Sequence, residues 1–155
     1  MRKSRAKKRE RSPDPRFSDP MVTRFVNNLM WSGKKSLAFR IFYDAMDVIA
    51  DTTGEDPHAV WKKALANAMP EVEVRSRRIG GSTFQIPTEI RQDRKMAMGI
   101  KWVITYARAR NGKSMAEKLA AELIAASKKE GASIKKREDV HRMAEANKAF
   151  SHFRV

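Results

Sequence analysis

The chain reads as a mainly α-helical single domain: a bundle of about six helices with one protruding β-hairpin and a basic, disordered N-terminal arm. Three observations carry that reading. Apolar residues recur at helical spacing along most of the chain. The stretch VEVRSRRIGGSTFQIP at 72–87 instead alternates with a period of two around Gly80-Gly81. Residues 1–16 carry eight basic side chains against two acidic ones and almost nothing to bury. The expected division is an arm over 1–18 and one helical domain over 19–155, a length that suits a single core.

The elements follow in order. Asp19 is placed to cap a first helix with Pro20 at its first position. Val22, Phe25, Val26, Leu29 and Met30 form its apolar stripe, and Gly33 ends it. Ser36 is the expected cap of a second helix, with Leu37, Ile41, Phe42, Ala45, Val48 and Ile49 inward and Gly54 as its stop. Asp56-Pro57 opens a third, with Val60, Ala64, Leu65 and Ala68 inward, and Pro70 closes it. In the hairpin Val72 and Val74 alternate with Glu73 and Arg75, and Phe84 and Ile86 lie on the return strand. Gly80-Gly81 permits the positive φ angles of a tight turn. Ala97, Ile100, Val103, Ile104 and Ala107 mark the fourth helix, which RNGKS breaks. Met115, Ala116, Leu119, Ala120, Leu123 and Ile124 mark the fifth. The sixth starts near Ser133 and runs through Val140, Met143, Ala144 and Asn147.

Charge is the outlier of the composition. Lys plus Arg number 33 against 18 acidic residues, a formal +15. Such a charge repels itself in the compact state and attracts polyanions. Nucleic acid, an anionic membrane and an acidic protein would each neutralise it. The absence of cysteine removes disulfides, thiolate zinc sites and cysteine nucleophiles together. No apolar run approaches the roughly 18 residues that span a bilayer. The N-terminus lacks the apolar core of a secretory signal, and Glu10, Asp14 and two prolines interrupt its likeness to a transit peptide. A cytoplasmic location is expected.

Motifs for catalysis or cofactors fail on inspection. GKS at 112–114 would need glycine at position 107 to be a phosphate loop, and that residue is Ala107. GKKS at 33–36 has Lys35 where Ser or Thr is required. His58, His141 and His152 share no metal-ligand spacing. Asp44 and Asp47 could neighbour each other on a helix, but a solvated face explains them. No cofactor, metal or enzymatic activity is expected.

What remains is cations gathered at the breaks between helices. The arm holds Arg2, Lys3, Arg5, Lys7, Lys8, Arg9 and Arg11. Lys34 and Lys35 follow Gly33; Arg75, Arg77 and Arg78 line the hairpin; Arg91, Arg94 and Lys95 begin the fourth helix. Arg108, Arg110 and Lys113 surround that helix's end, and Lys128, Lys129, Lys135, Lys136 and Arg137 surround the start of the sixth. Arg and Lys at such positions suit phosphate contacts. No single helix concentrates them as a major-groove reader would. The scatter favours a folded RNA surface, recognised by shape and backbone. A DNA-compacting protein is the alternative that charge alone leaves open.

Four stretches carry a family likeness: DPMVTRFVNNLMWSGKKSLAFRIFYDA (19–45), VWKKALANAMPEVEVRSRRIGGSTFQIPTEIR (60–91), KWVITYARAR (101–110) and HRMAEANKAFSHFRV (141–155). Together the chain resembles the bacterial small-subunit ribosomal protein seven family over nearly its whole length. The resemblance implies a helical protein with a protruding hairpin that binds the 3′ major domain of small-subunit ribosomal RNA and starts assembly of the subunit head. It implies ribosomal RNA contacts for the arm, Lys34, Lys35, the hairpin arginines and Arg91 through Lys95. It implies a face near messenger RNA and exit-site transfer RNA, formed by Gly80, Gly81, Ser82 and Thr83 with Arg142 and Lys148 of the last helix. Neighbouring head proteins and a platform protein are implied partners. Gln92 stands where relatives usually have proline, which predicts a looser start to the fourth helix.

Overall fold

The computed structural model describes residues 10–153. Arg2, Lys3, Arg5, Lys7, Lys8 and Arg9, expected to meet RNA, and the disorder expected of their segment lie outside the described residues. Six helices and one hairpin follow in the expected order. They are α1 (Pro20–Leu29), α2 (Lys35–Thr53), α3 (Pro57–Ala68), β1 (Val72–Ile79), β2 (Ser82–Glu89), α4 (Gln92–Ala109), α5 (Met115–Ser127) and α6 (Ala132–Ala146). A 3-10 turn, Lys148–Phe153, extends the C-terminal end and had no signal in the periodicity.

Local caps set the first helices. The Asp19 carboxylate accepts from the Met21 amide at 2.8 Å. Asp56 does the same for His58 and Ala59, each at 3.2 Å. Each cap satisfies first-turn amides that the helix itself leaves without partners. Ser36 does not cap α2. The chain reverses at Ser32 and Gly33, both at positive φ, and the first helical bond already runs from Ala38 N–H to the Lys34 carbonyl. The turn is complete two residues early, so Ser36 falls inside the helix. Gly54 ends α2 in the left-handed conformation, at φ 67°. α4 begins at Gln92 itself, so proline is not needed there to start the helix.

α5 packs against α2, α3 and α4 and centres the bundle. Phe25 and Phe42 meet the Trp61 ring edge-on, at centroid distances of 5.8 and 5.6 Å. Met46, Ile49, Ile100, Leu119, Leu123 and Ile134 complete a fully buried centre. Each such side chain contributes about 1.5–3 kcal/mol by leaving water. Two expected core positions are exposed instead. Leu37 lies in the first turn of α2 beside the exposed Trp31, and Met143 lies off the face through which α6 buries Val140 and Ala144.

The end of the expected arm is seated on the bundle. The Thr23 hydroxyl donates to the Ser12 carbonyl at 2.9 Å. Asp14 is buried, and its carboxylate accepts from the amides of Arg16 and Phe17 and from the Tyr43 hydroxyl. Phe17 stacks on His58 at 4.9 Å. The segment up to residue 18 is therefore not all loose arm. Counting only its charge misses a carboxylate that ties it down.

Candidate nucleic-acid interface

The hairpin is an antiparallel pair in which Arg75 lies opposite Ile86, Arg77 opposite Phe84 and Ile79 opposite Ser82. Gly80 and Gly81 both have positive φ, 56° and 91°, as a two-residue turn of this hand requires. Opposite residues share a face, so Glu73, Arg75, Arg77, Phe84 and Ile86 lie on one side and Val72 and Val74 on the other. The two-residue alternation holds, but it does not say which face is covered most deeply. Glu73 is 5% exposed, while both valines are only half-buried.

Two arginines converge on that carboxylate. Arg75 donates to Glu73 Oε1 through Nε at 2.6 Å and approaches it through Nη2 at 2.5 Å. Arg94, from the first turn of α4, donates through Nε to Oε2 at 2.8 Å. Burial alone raises the Glu73 carboxyl pKa, but the hydrogen bonds from Arg94 and Arg75 outweigh it and hold the pKa below its ordinary value. Thus two residues expected to meet RNA also hold the base of the hairpin to α4.

The hairpin also meets the C-terminal end. His141 Nε2 accepts from the Glu71 amide at 3.1 Å. Phe84 lies against Phe150, centroid to centroid 5.3 Å. The last helix is thereby held beside the hairpin whose tip is Gly80 to Thr83, all exposed but for the turn's flank at Ile79. Arg142 and Lys148 are exposed and sit near Asp139 (3.8 Å) and Glu145 (3.3 Å) on their own turn of chain.

An open groove of about 630 Å³ gathers residues from four parts of the chain: Glu10, Arg11 and Ser12; Thr23, Arg24 and Asn27 of α1; Lys35; and Asp93 of α4. Three of these are cations. Arg24 spans α1 and α4, donating to the Asp93 carbonyl at 2.8 Å. The groove therefore brings Arg11 of the arm and Lys35 at the head of α2, members of two separate basic clusters, together with Arg24 of α1 and beside the acid Asp93 of α4. Lys34 is exposed at the head of α2, and Arg91 is exposed at the head of α4, with Lys95 half-buried one turn on.

Arg110 and Lys113 do not join this surface in the same way. Arg110 Nε donates to Glu122 Oε2 at 2.6 Å, and Glu122 is fully buried. Glu122 Oε1 accepts from the Ser133 amide and hydroxyl, at 2.9 and 2.6 Å, at the start of α6. Arg110 is thus first a counter-ion of the core. Lys113 is exposed, and its amide donates to Glu117 at 3.3 Å. Arg137 is likewise turned inward, onto the Asn67 carbonyl.

A residue outside the expected set, Trp31, sits at the surface beside Arg108 of the basic cluster at the end of α4. Trp31 is exposed in the α1–α2 loop, and the Arg108 guanidinium lies 4.6 Å from its ring. Arg108 also donates to the Leu29 carbonyl at 2.9 Å, fixing the end of α1. A tryptophan next to Gly33-Lys34-Lys35, outside any stripe, was the available signal.

Comparison with known proteins bears on this surface. The family model described as Ribosomal protein S7p/S5e matches residues 1–148. The chain is 66% identical over 154 residues to the small ribosomal subunit protein uS7 of Cytophaga hutchinsonii, covering 99% of each chain. It is 64% identical over 157 residues to the protein of that name from Flavobacterium psychrophilum, again covering 99% of each. The uS7 of Caldanaerobacter subterraneus subsp. tengcongensis is 54% identical over 153 residues, covering 99% of this chain and 98% of the relative.

Proposed function

The chain belongs to the ribosomal protein S7p/S5e family, and from that premise we propose that it binds the 3′ major domain of small-subunit ribosomal RNA and nucleates assembly of the subunit head. It is a structural protein of the small ribosomal subunit, not an enzyme, and its place is the cytoplasmic ribosome of bacteria. Its partners are ribosomal RNA and other ribosomal proteins. In the finer reading, the hairpin tip and the last helix face messenger RNA and exit-site transfer RNA, and neighbouring head and platform proteins contact the chain.

One observation supports the RNA reading most directly. Arg11, Arg24 and Lys35 come from three parts of the chain but border one groove, and the groove reaches Asp93 in the first turn of α4, to which the arginine-bearing hairpin is tied through Arg94. A curved backbone can be followed by cations on several elements, and phosphate contacts of this kind set register and orientation.

A competition assay tests it. The labelled ligand is a transcript of the 3′ domain; the competitors are unlabelled 3′ domain, duplex DNA of equal length and an unrelated structured RNA. Strong competition by the 3′ domain alone is expected. Equal competition by all three would show that charge alone drives binding and would favour the DNA-compacting reading. Raising salt from about 50 to 200 mM is expected to weaken binding by about three to five decades if six to ten phosphates are neutralised.

A further inference from the structure

We infer that Glu73 is a positioning residue that holds Arg75 of the hairpin and Arg94 of α4 as one two-guanidinium receptor for a single RNA phosphodiester. The inference rests on the RNA-binding reading above and adds to it a residue of the wrong charge for a phosphate contact.

The geometry carries it. Glu73 and Arg94 are 21 residues apart and on different elements, yet one carboxylate receives both arginines. Oε1 takes Arg75 and Oε2 takes Arg94, so each oxygen orients one guanidinium. The carboxylate is buried, but the two arginine side chains remain 59% and 54% exposed. A guanidinium carries five N–H donors in a rigid fork. Glu73 engages Nε and Nη2 of Arg75 and Nε of Arg94, and the remaining Nη groups belong to side chains that reach solvent.

Three physical consequences favour an anion there. Two guanidiniums repel each other, and the carboxylate between them removes most of that cost while leaving the group a net +1. The fork of arginine matches a phosphate bidentately, which the point charge of lysine does not. Long side chains lose rotamer freedom when they bind, and an arginine already fixed by a carboxylate loses less. A buried carboxylate is itself costly unless paired. If support of the hairpin were its only task, an apolar residue beside Ile86 would serve.

The test turns on sign. Affinities for the 3′ domain transcript and for an unrelated structured RNA are measured at several salt concentrations for the full chain and for Glu73→Gln, Arg75→Ala, Arg75→Lys and the double variant Glu73→Gln/Arg75→Ala. If charge alone mattered, Glu73→Gln would add +1 and tighten binding to both RNAs. The positioning role predicts the opposite: about tenfold weaker binding to the 3′ domain and a salt slope lower by about 1. It predicts that Arg75→Lys, which keeps the charge, loses about as much as Arg75→Ala. It also predicts that Glu73→Gln has little further effect in the Arg75→Ala background, as expected of residues that act together. Hairpin amide exchange checks that each variant is folded, and Arg75→Lys carries the test if Glu73→Gln is not. Glu73→Gln binding as tightly as the parent, or Arg75→Lys retaining full affinity, would overturn the inference. If the parent chain itself fails to distinguish the two RNAs, the RNA reading falls first and this inference with it.

Discussion

Arg110 and Glu122 meet at 2.6 Å across the corner between α4 and α5, with the carboxylate fully buried and the guanidinium side chain 34% exposed. The same carboxylate accepts from the amide and hydroxyl of Ser133 at the head of α6. One acid thus joins three helices. The arrangement exists because a buried charge is tolerated only when paired and hydrogen-bonded.

Removing Arg110 leaves that charge without its counter-ion. Arg110→Ala is expected to lower stability by about 3 kcal/mol, the low end for a broken buried pair because the arginine is partly solvated. Urea unfolding measures the loss. RNA affinity of the folded variant, measured at low temperature, is expected to change far less than after a change at Arg75. An unchanged urea midpoint with a large affinity loss would instead make Arg110 an RNA contact.

Acid is expected to weaken the attachment of α1 to α3. Burial raises the pKa of the Asp19 carboxyl, but the Met21 amide, Lys62 and His58 together hold it below its ordinary 3.8. A carboxyl whose folded pKa is depressed contributes stability above the unfolded value, and that contribution is lost as pH falls through the folded one. Stability should therefore drop as pH falls below about 3.8. Asp19→Asn keeps a capping oxygen but not the charge, so its acid limb is expected to be shallower. Urea midpoints across the acid range make the comparison.

Much of this fold is legible from local signals. Asp19, Asp56 and Gly54 cap or stop helices through groups within four residues of themselves, and Gly80-Gly81 specifies its turn by backbone freedom alone. What fails to show is partnership at a distance. Glu122 sits in AELIAAS and looks like a surface acid until Arg110, 12 residues earlier, and Ser133, 11 later, close on it. The sequence therefore does not separate Arg110, which has this buried partner, from the other cations grouped at the helix breaks. Glu73 shows the same limit in a strand: period-two alternation defines two faces, and only packing decides which one is buried. Ser36 misled for a different reason. It is a good cap residue, but the turn ahead of α2 closes at Gly33 before reaching it. Of the groove, Arg11 and Lys35 are legible as members of separate basic clusters, whereas Arg24 and the place they share are not.

Alkali is expected to release the N-terminal segment. Burial and the hydrogen bond to Asp14 push the Tyr43 hydroxyl up to about 12 from its ordinary 10.0. A raised folded pKa means that the stabilisation is complete below 10.0 and is lost as pH rises toward about 12. The physical step is loss of the proton that Tyr43 donates to Asp14. Amide exchange at Arg16 and Phe17, whose N–H groups share that carboxylate, should rise in this window once corrected for its intrinsic dependence on pH. Tyr43→Phe should remove the window and cost about 1 kcal/mol at neutral pH, because Asp14 loses one partner.

The contact between Phe84 and Phe150 makes the C-terminal turn a brace for the hairpin. The rings lie 5.3 Å apart, inclined at 56°, and join the middle of β2 to the 3-10 turn that follows α6. A two-stranded hairpin is marginal alone and needs packing to hold its orientation. Here the base is held by Glu73 and by the His141 contact at Glu71, so the ring pair adds a support closer to the tip, made by the 3-10 turn and not by α6. A double-mutant cycle with Phe84→Ala and Phe150→Ala is expected to give a coupling of about 0.5–1.5 kcal/mol. Phe150→Ala should also speed amide exchange at Arg77 and Thr83 more than at Val72, because the base keeps its own ties. Additive losses, or uniform exchange along both strands, would mean that the rings touch without bracing the tip.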